Sequence, residues 1–561
     1  MDEIGEAGPP SAGLDAAAQP RPRGLTRWDR ARVAASWATT ILAGLLLLAV
    51  LLVPDRLDIL TPAAFLRVPV EALIAATLVA AVPGRARTAV AAVVGVVLGL
   101  WGVVHVIDLG FFFFLGRRFD PLLDWGFLNA AMVVVGRSLG RAGTLGAEIL
   151  TAVVAAVLVS LVTLSVLRLS TLAARHREGT LRTVAVLGVV WVVCLATGAQ
   201  LVTGEPVAAR DALDRIGQVR TSMRDGADFT KQLADDPFRQ TPGNELLTAL
   251  RGKKVVVVLV ESYGRVALTS PEIAPAVTGV LDAGQRGLTA QGFSSRSAFL
   301  TSPTFGGGSW LAEATLLSGT WVTNQQRYDD LASTSRLTLT GAFQRAGWRT
   351  VAIMPGTTME WPQAPFYSFD QIVPNKELGY AGPIYSFDTM PDQYTLSVFQ
   401  RTEYGPAPAG SLMSVVTLIS SHAPWSPVPD FVDWNTIGDG SGYPKPTEKL
   451  EPAESILQRD PARVRADYAH AIAYSLQSLI SWVQTYGDDD LVLMFLGDHQ
   501  PSTTVSGTGP NRDVPVSIVT RDSSVLSRID EWGWQDGLIP SDQAPVWRMD
   551  TLRDRFLATF S

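Results

Sequence analysis

Residues 491–501 read Leu-Val-Leu-Met-Phe-Leu-Gly-Asp-His-Gln-Pro. An unbroken run of six apolar residues is typical of a strand that is covered on both faces of a parallel sheet. Asp498 and His499 follow this run at once, so the strand would deliver both side chains to the carboxyl edge of the sheet. That edge forms the ligand crevice of open α/β sheets. The stretch therefore predicts an α/β domain and a site within it.

Three further apolar runs read as strands of the same sheet, at residues 255–260, 350–354 and 413–419. The amphipathic stretches between them indicate helices packed on a mainly parallel sheet. Glu261 follows the first run, and His422 lies just beyond the third. Taken singly, Glu261 reads as a solvated turn residue and His422 as a structural histidine. Strand ends converge in space, however, so the three ends together predict a metal site.

A glycine-rich turn supplies the candidate nucleophile. Residues 304–310 read Thr-Phe-Gly-Gly-Gly-Ser-Trp and precede an apolar stretch with helical spacing. Glycines permit close backbone approach, and a helix that begins here would aim free N–H groups at an anion. Ser309 is the candidate, because a divalent cation could activate its hydroxyl. The alternative is that Ser309 only caps the helix.

The available side chains also restrict the metal. Beyond residue 203 there are only three histidines, which disfavours a histidine-rich two-zinc centre. A single ion held by Glu261, Ser309, Asp498 and His499 has oxygen ligands and one imidazole. Such a set suits Mn²⁺ or Zn²⁺ and does not choose between them.

The first two hundred residues are strongly apolar and predict a multi-pass membrane segment. Hydrophobic residues make up 47% of the chain, and runs long enough to cross about 30 Å of hydrocarbon occur five times. Arginines in the N-terminal tail and in alternate loops would face the cytoplasm, which places the part after residue 203 outside the cell. Losing one span would invert this topology. The five runs are residues 36–53, 63–82, 88–108, 146–168 and 182–202.

These features predict four segments along the chain. Residues 1–33 are expected to be a disordered cytoplasmic tail, and residues 34–203 a five-helix transmembrane domain. Residues 204–250 are expected to form an extracellular helical connector, and residues 251–561 the extracellular α/β catalytic domain. The composition suggests a bacterial cell membrane.

Cysteine and charge exclude other classes of site and partner. The single cysteine, Cys194, allows no intrachain disulfide and no cysteine-cluster metal site. The net charge of -7 is not concentrated in any run, and no basic stripe interleaved with aromatics follows the membrane segment. Nucleic acid is therefore not expected as a partner.

Four motifs stand in a characteristic order: Val-Glu-Ser-Tyr at 260–263, Gly-Gly-Ser-Trp at 307–310, Ser-His-Ala-Pro-Trp at 421–425 and Gly-Asp-His-Gln-Pro at 497–501. Behind five spans, they resemble the lipoteichoic acid synthase branch of the sulfatase-like, alkaline phosphatase superfamily. The resemblance implies that Glu261, Asp498 and His499 bind the metal. It further implies that Ser309 replaces the family's nucleophilic threonine and that His422 contacts the phosphate or the leaving group.

Trp361 resembles a substrate-pocket tryptophan, although an aromatic residue there is as often part of a core. Thr304 is the fallback nucleophile, since serine departs from the family's threonine. Residues 302–304, Ser-Pro-Thr, do not supply the pattern that a formylglycine sulfatase needs, which disfavours sulfate-ester hydrolysis.

The function expected is transfer of a phospho-headgroup, glycerophosphate or phosphoethanolamine in kind, from a membrane lipid to a glycan or lipid acceptor in the cell envelope. Three alternatives remain open: a phosphodiester hydrolase that uses the same site, a non-catalytic envelope scaffold, and an esterase of the α/β-hydrolase type. The esterase needs a Gly-x-Ser-x-Gly elbow, but position 311 is leucine.

Overall fold

The computed structural model describes residues 26–54, 60, 62, 65, 67–202, 205–206, 208–209, 211–386, 390–407, 412–448, 450, 456, 459–507 and 511–561. Most of the predicted N-terminal tail, residues 1–25, therefore lies outside the described residues. The described chain forms an N-terminal helical bundle and a C-terminal α/β domain, which are joined by one amphipathic helix.

Five apolar helices form the N-terminal bundle, and within the described residues four of them are long and apolar enough to cross a membrane. In the described part of the predicted second span, residues 63–82, the helix is the 12-residue α2. At 1.5 Å per residue, α2 rises about 18 Å, which is short of a full crossing. Helix α4 is interrupted at Gly140. The five are α1 (Arg27–Leu52), α2 (Val70–Ala81), α3 (Gly84–Leu115), α4 (Trp125–Arg175) and α5 (Arg177–Thr197).

Hydrogen bonds at both ends of α2 show how it lies in the bundle. Arg67, just before α2, donates to the carbonyl of Leu52 at the end of α1, at 2.9 Å. Arg177, at the start of α5, donates to the carbonyl of Ala80 at the end of α2, at 3.1 Å. These two bonds tie the segment from residue 67 to residue 81 to the end of α1 and to the start of α5.

Helices α3 and α4 pack with their backbones in close approach. A Cβ atom added at Gly95 would lie 2.6 Å from the Cα of Thr163, and one added at Gly99 would lie 2.7 Å from the Cα of Val159. Small residues four positions apart allow this kind of packing between membrane helices. The α3–α4 pair is thus the tightly packed centre of the bundle, whereas α5 has no buried residue.

Helix α6 (Asp211–Ala234) joins the bundle to the α/β domain. Its Arg215 forms an ion pair with the buried Asp108 of α3, and its Asp225 pairs with Arg327 of the α/β domain, Oδ2 to Nε, at 2.7 Å. Two short strand pairs lie nearby: β1 (Val68–Pro69) with β4 (Ala208–Ala209), and β2 (Gln200–Val202) with β3 (Glu205–Pro206).

A nine-stranded sheet forms the centre of the α/β domain, with the order β12-β6-β11-β10-β5-β9-β7-β8 and β13 beside β6. Strands β10, β5, β9, β7 and β8 run parallel, while β11 is antiparallel to both of its neighbours. The strands are β5 (Lys254–Val260), β6 (Ser294–Thr301), β7 (Arg349–Met354), β8 (Gln371–Pro374), β9 (Leu412–Leu418), β10 (Leu491–Gly497), β11 (Asp513–Thr520), β12 (Gln535–Asp536) and β13 (Val546–Arg548).

The four strands predicted from apolar runs are β5, β7, β9 and β10, and they lie side by side in this parallel part. Both faces of β5 are buried: Val257 belongs to the hydrophobic core on one side of the sheet and Val258 to the core on the other. Strands β6 and β11 were not predicted, since β6 begins Ser-Ser-Arg-Ser and β11 contains Pro515.

Helices cover both faces of the sheet, as the alternating sequence predicted. One core includes residues of α9, α11 and α16, and the other includes residues of α8 and α13. The helices of the domain are α7 (Val266–Thr269), α8 (Ala274–Ala290), α9 (Ser309–Ser318), α10 (Gln325–Ala332), α11 (Leu339–Arg345), α12 (Asp392–Phe399), α13 (Pro461–Tyr486), α14 (Thr503–Ser506), α15 (Ser523–Ser527) and α16 (Leu552–Phe560).

Candidate active site

Four predicted site residues come together where β5 and β10 end and α9 begins. Glu261, Asp498 and His499 are buried, and each offers one ligand atom within 4.8 Å of the other two. The hydroxyl of Ser309 donates to Oε2 of Glu261 at 2.9 Å and lies 3.2 Å from Nε2 of His499. The adjacent ends of β5 and β10 therefore bring together residues more than two hundred positions apart.

Backbone groups hold the ligand side chains in place. Oδ1 of Asp498 accepts from the N–H of Ser262 at 2.8 Å and from the N–H of His499 at 2.7 Å. Nδ1 of His499 lies 2.8 Å from the carbonyl of Gln500. Since a carbonyl only accepts, Nδ1 is the donor, and Nε2 keeps its lone pair toward the carboxylates in the neutral ring. This arrangement is usual for a metal-ligating histidine.

Burial and mutual charge perturb all three pKa values. Burial, followed by the charge of Glu261, raises the pKa of Asp498 to about 7. Burial alone would raise the pKa of Glu261 and lower that of His499, but the opposite charges within the cluster outweigh it and reverse both directions. Two buried carboxyl groups beside one imidazole thus favour a shared proton or a cation. The donor set fits a divalent metal.

Ser309 is the first residue of α9, and the cap position is Gly308, with φ +82. The interpretation of Ser309 as the helix cap is therefore wrong, because its hydroxyl is bonded to Glu261 instead. The fallback nucleophile, Thr304, contacts the hydroxyl of Ser302, with 3.4 Å between the two oxygens.

The membrane bundle forms a wall directly behind the glycine-rich turn. Gly306 has φ +70, and a Cβ atom added there would lie 1.6 Å from the carbonyl oxygen of Phe114, near the end of α3. Phe127, at the start of α4, packs on Trp310 with 5.5 Å between ring centroids. The hydroxyl of Thr503 donates to the carbonyl of Phe113 at 2.6 Å. The turn therefore owes part of its position to the membrane helices.

His422 is half-buried beside the cluster but does not belong to the group of three ligand residues. Its Nδ1 lies 2.7 Å from the carbonyl of Ala423, and its charge helps to lower the pKa of Glu261 after the larger effects of burial and His499. Asp392 of α12 fixes the start of this loop by accepting from the N–H groups of Ile419 at 2.7 Å and Ser420 at 3.0 Å.

Trp361 lies in an aromatic cluster close to the site. Its indole donates to the hydroxyl of Tyr328 at 2.8 Å, and its ring lies 5.1 Å from that of Tyr367. The sequence left open whether Trp361 belongs to a core or to a substrate pocket, and these contacts place it on the edge of the core.

Glu313 was missed by the sequence analysis. It lies one turn after Ser309 on α9, is buried, and its Oε1 has no hydrogen-bond partner among the described residues. Burial and then the charge of Asp498 raise the pKa of Glu313 to about 8. The available signal was that Glu313 is the only charged residue in the otherwise apolar α9.

Comparison with known proteins bears on the domain as a whole. Residues 253–515 match the sulfatase family model. The C-terminal part of this chain is a sulfatase-like domain. The match confirms the predicted fold and the prediction of a metal-dependent enzyme of the sulfatase-like superfamily. The described residues include four helices that are long and apolar enough to cross a membrane, so the chain is a membrane protein that carries a sulfatase-like enzyme domain.

Similar solved structures include the lipoteichoic acid synthase LtaP from Listeria monocytogenes, with 14% identity, 48% of this chain and 66% of that chain covered, and a TM-score of 0.34. The C-terminal periplasmic domain of EptC from Escherichia coli has 16% identity, 55% and 83% coverage and a TM-score of 0.37. The phosphoglycerol transferase GacH from Streptococcus pyogenes, in complex with sn-glycerol-1-phosphate, has 13% identity, 59% and 91% coverage and a TM-score of 0.36. No curated protein matches the chain.

Proposed function

We propose that the sulfatase-like domain is a metal-dependent phosphotransferase that moves a phospho-headgroup from a membrane lipid to an acceptor in the cell envelope. The observation that carries this proposal is the hydroxyl of Ser309, which donates to Glu261 and lies beside His499 in a buried ligand cluster. The same contacts favour Ser309 over Thr304 as the nucleophile. The glycerophosphate or phosphoethanolamine character of the headgroup rests on the family resemblance.

Glu261, Ser309, Asp498 and His499 would hold one divalent ion, Mn²⁺ or Zn²⁺. When bound, the ion would lower the pKa of the serine hydroxyl and neutralise charge on the phosphoryl oxygens. The shared negative charge of Glu261 and Asp498, buried against a single imidazole, supports a cation at this point.

The chain's own groups account for the proton movements. In the first step the oxygen of Ser309 bonds to phosphorus, and the bond from phosphorus to the lipid oxygen breaks. The serine proton leaves through its hydrogen bond to Glu261, and His422 supplies a proton to the departing lipid oxygen. In the second step the acceptor hydroxyl loses its proton to His422 and displaces Ser309, which regains its own. The N–H groups at the start of α9 point toward the transferred phosphate.

The position of the site supports a lipid donor. The ends of α3 and α4 pack on the glycine-rich turn, so the phosphate of a lipid at the membrane surface has a short path to Ser309. The domain would lie outside the cell, with the N-terminal arginines inside. Trp361, within the aromatic cluster beside Glu313, is the proposed substrate-pocket residue.

The test is mass spectrometry of the full chain in lipid nanodiscs after incubation with Mn²⁺ and a mixture of phosphatidylglycerol and phosphatidylethanolamine. We expect a phospho-headgroup adduct on the peptide that contains Ser309. Ser309→Ala should form none, while Thr304→Ala should form it as the unchanged chain does. An adduct on Thr304 would overturn the nucleophile assignment.

The same measurements test two alternative functions, a phosphodiester hydrolase and a non-catalytic scaffold. A hydrolase would form the adduct and release the phospho-headgroup to water at the same rate with or without an envelope acceptor. A non-catalytic scaffold would form no adduct and would hold no stoichiometric Mn²⁺ or Zn²⁺. Either of these two results would refute the transferase proposal.

A further inference from the structure

A cavity of about 430 Å³ lies where the membrane bundle, helix α6 and the sulfatase-like domain meet. Its volume falls within the range of small-molecule sites. The turn between α3 and α4 forms one wall, α6 forms a second, and the strand end before the glycine-rich turn forms a third. Lining residues that carry polar side chains include Arg117, Arg118, Asp120, Thr221, Asn324 and Arg512.

Arg512 is the unusual member of this lining. It is half-buried, and its guanidinium donates to the carbonyl of Pro303 at 2.8 Å. Among the described residues no carboxylate pairs with it. Burial, and then the neighbouring charge of Arg117, lower the pKa of Arg512. Two arginines held close together in a partly buried cavity favour an anion between them.

The acidic residues of the cavity do not replace such an anion. Asp124 is already bonded to Arg117 through both oxygens, at 2.5 and 2.7 Å. Asp225 is paired with Arg327. Asp120 accepts a hydrogen bond from the hydroxyl of a serine on α6. None of these carboxylates therefore pairs with Arg512, while Asp120 offers further acceptor capacity to a hydroxylated ligand.

A second cleft shares lining residues with the cavity and touches the glycine-rich turn. Arg117, Pro303 and Arg512 line this smaller cleft, whose other wall includes Thr304 and Gly307. The main-chain N–H of Ser302 donates to the carbonyl of Arg512 at 2.9 Å. A ligand on Arg512 would therefore sit behind the turn that positions Ser309, on its membrane side.

We propose that this junction cavity binds a hydroxyl-bearing phosphate ester, with its phosphate on Arg512 and Arg117 and its hydroxyl groups among Asp120, Asn324 and Thr221. The site is separate from the metal cluster and holds the second phosphate group of a transfer reaction. That role rests on the proposed function, whereas the binding itself does not. The ester could belong to the headgroup of a membrane lipid or to the end of a phosphate-bearing acceptor.

Binding is measured first, by isothermal titration of the full-length Ser309→Ala chain in detergent micelles with EDTA. The probes are inorganic phosphate and sn-glycerol 1-phosphate. Without metal the carboxylates of Glu261 and Asp498 repel an anion, and the dependence of binding on Arg512 assigns it to the junction cavity. We expect sn-glycerol 1-phosphate to bind more tightly than inorganic phosphate, and Arg512→Gln to weaken it about tenfold to a hundredfold.

The matched control lies at the other end of the same strand. Arg512 immediately precedes β11, and Arg521 immediately follows it, where it pairs with Asp489 at the surface. Arg521→Gln should leave the affinity unchanged, and Arg512→Lys should restore part of it while the melting temperature reports on folding. Absence of binding in EDTA, or equal affinity in the Arg512 and Arg521 variants, would overturn the proposal. Because Ser309 is absent throughout, failure of the covalent mechanism cannot produce either result.

Turnover then distinguishes the two sources of the ester. In nanodiscs of phosphatidylglycerol, Arg512→Gln should slow formation of the Ser309 adduct if the cavity holds the donor lipid. If the cavity holds the acceptor, the adduct should form at the normal rate and be discharged to acceptor more slowly. An unchanged rate in both steps would show that the cavity has no part in the reaction and would overturn its proposed role.

Discussion

Replacement of Asp498 by asparagine should stabilise the metal-free protein. The pKa of Asp498 is raised from its usual 3.8 to about 7, first by burial and then by Glu261. The folded metal-free protein therefore holds a proton that the unfolded chain releases. This contribution to stability is fully present below about pH 4 and is lost as the pH rises to about 7. At 1.36 kcal/mol per pH unit, the loss is about 4 kcal/mol.

Asparagine removes the charge and keeps the hydrogen bonds. Its carbonyl oxygen can still accept from the N–H groups of Ser262 and His499, as Oδ1 of the aspartate does at 2.8 and 2.7 Å. Its amide can donate toward Glu261. The figure of about 4 kcal/mol is an upper limit, because removing the charge of Asp498 also removes the attraction that raises the pKa of His499. In a domain of this size it corresponds to a rise in melting temperature of roughly 6 °C.

The assay is thermal unfolding of the full chain and of Asp498→Asn in micelles, at pH 4 and pH 8, each with EDTA or Mn²⁺. In EDTA, we expect the variant to have a higher melting temperature than the unchanged chain at pH 8 and the same melting temperature at pH 4. Added Mn²⁺ should reverse the order at pH 8, because only the unchanged chain retains its full ligand set. A variant that melts lower in EDTA at pH 8, or a stabilisation that persists at pH 4, would refute the electrostatic reasoning.

Gly306→Ala should uncouple the glycine-rich turn from the membrane bundle, because the new methyl group would meet the carbonyl of Phe114. The left-handed backbone at this position would cost an alanine about 1–2 kcal/mol in addition. The rate of adduct formation should fall more than tenfold, and a normal rate would contradict the role of the membrane helices in supporting the turn. Glu313→Gln should change the melting temperature little at pH 4 and raise it increasingly from pH 4.5 to about pH 8, because the pKa of Glu313 is raised from 4.5 to about 8 and the folded chain keeps a proton that the unfolded chain releases; a variant that melts lower than the unchanged chain at pH 8 would mean that the charged form of Glu313 stabilises the fold. Asp392→Ala should lower the free energy of unfolding by about 2–4 kcal/mol, because it leaves two N–H groups without an acceptor, and it should slow the step that uses His422. Asp392→Asn should preserve most of the stability and most of the rate. Melting experiments and stopped-flow kinetics would check the two effects.

Local sequence was sufficient to predict the parallel centre of the sheet. The runs that became β5, β7, β9 and β10 are apolar without interruption, because strands covered on both faces have no polar side. The same local signal located Glu261, Asp498 and His499, since a residue that directly follows a buried strand must lie at its carboxyl edge. Among the described residues, four of the five predicted spans contain a helix long and apolar enough to cross a membrane, and the second contains a helix of only 12 residues.

Other features depend on contacts between distant parts of the chain. Strand β6 has polar residues in its first half because it lies toward the edge of the sheet, next to the short β12 and β13, so no apolar run marks it. In the sequence Glu313 is a single acid among apolar and small polar residues, and only the folded chain shows that it is buried within reach of the charge of Asp498. The sequence therefore determined which polar residues lie at the carboxyl ends of the strands, because strand and helix signals are local. Only the tertiary structure decided that the ends of α3 and α4 support the glycine-rich turn and that Arg512 lines a cavity beside Arg117. The packing of a membrane bundle on a separate domain leaves no periodic pattern in the sequence of either part.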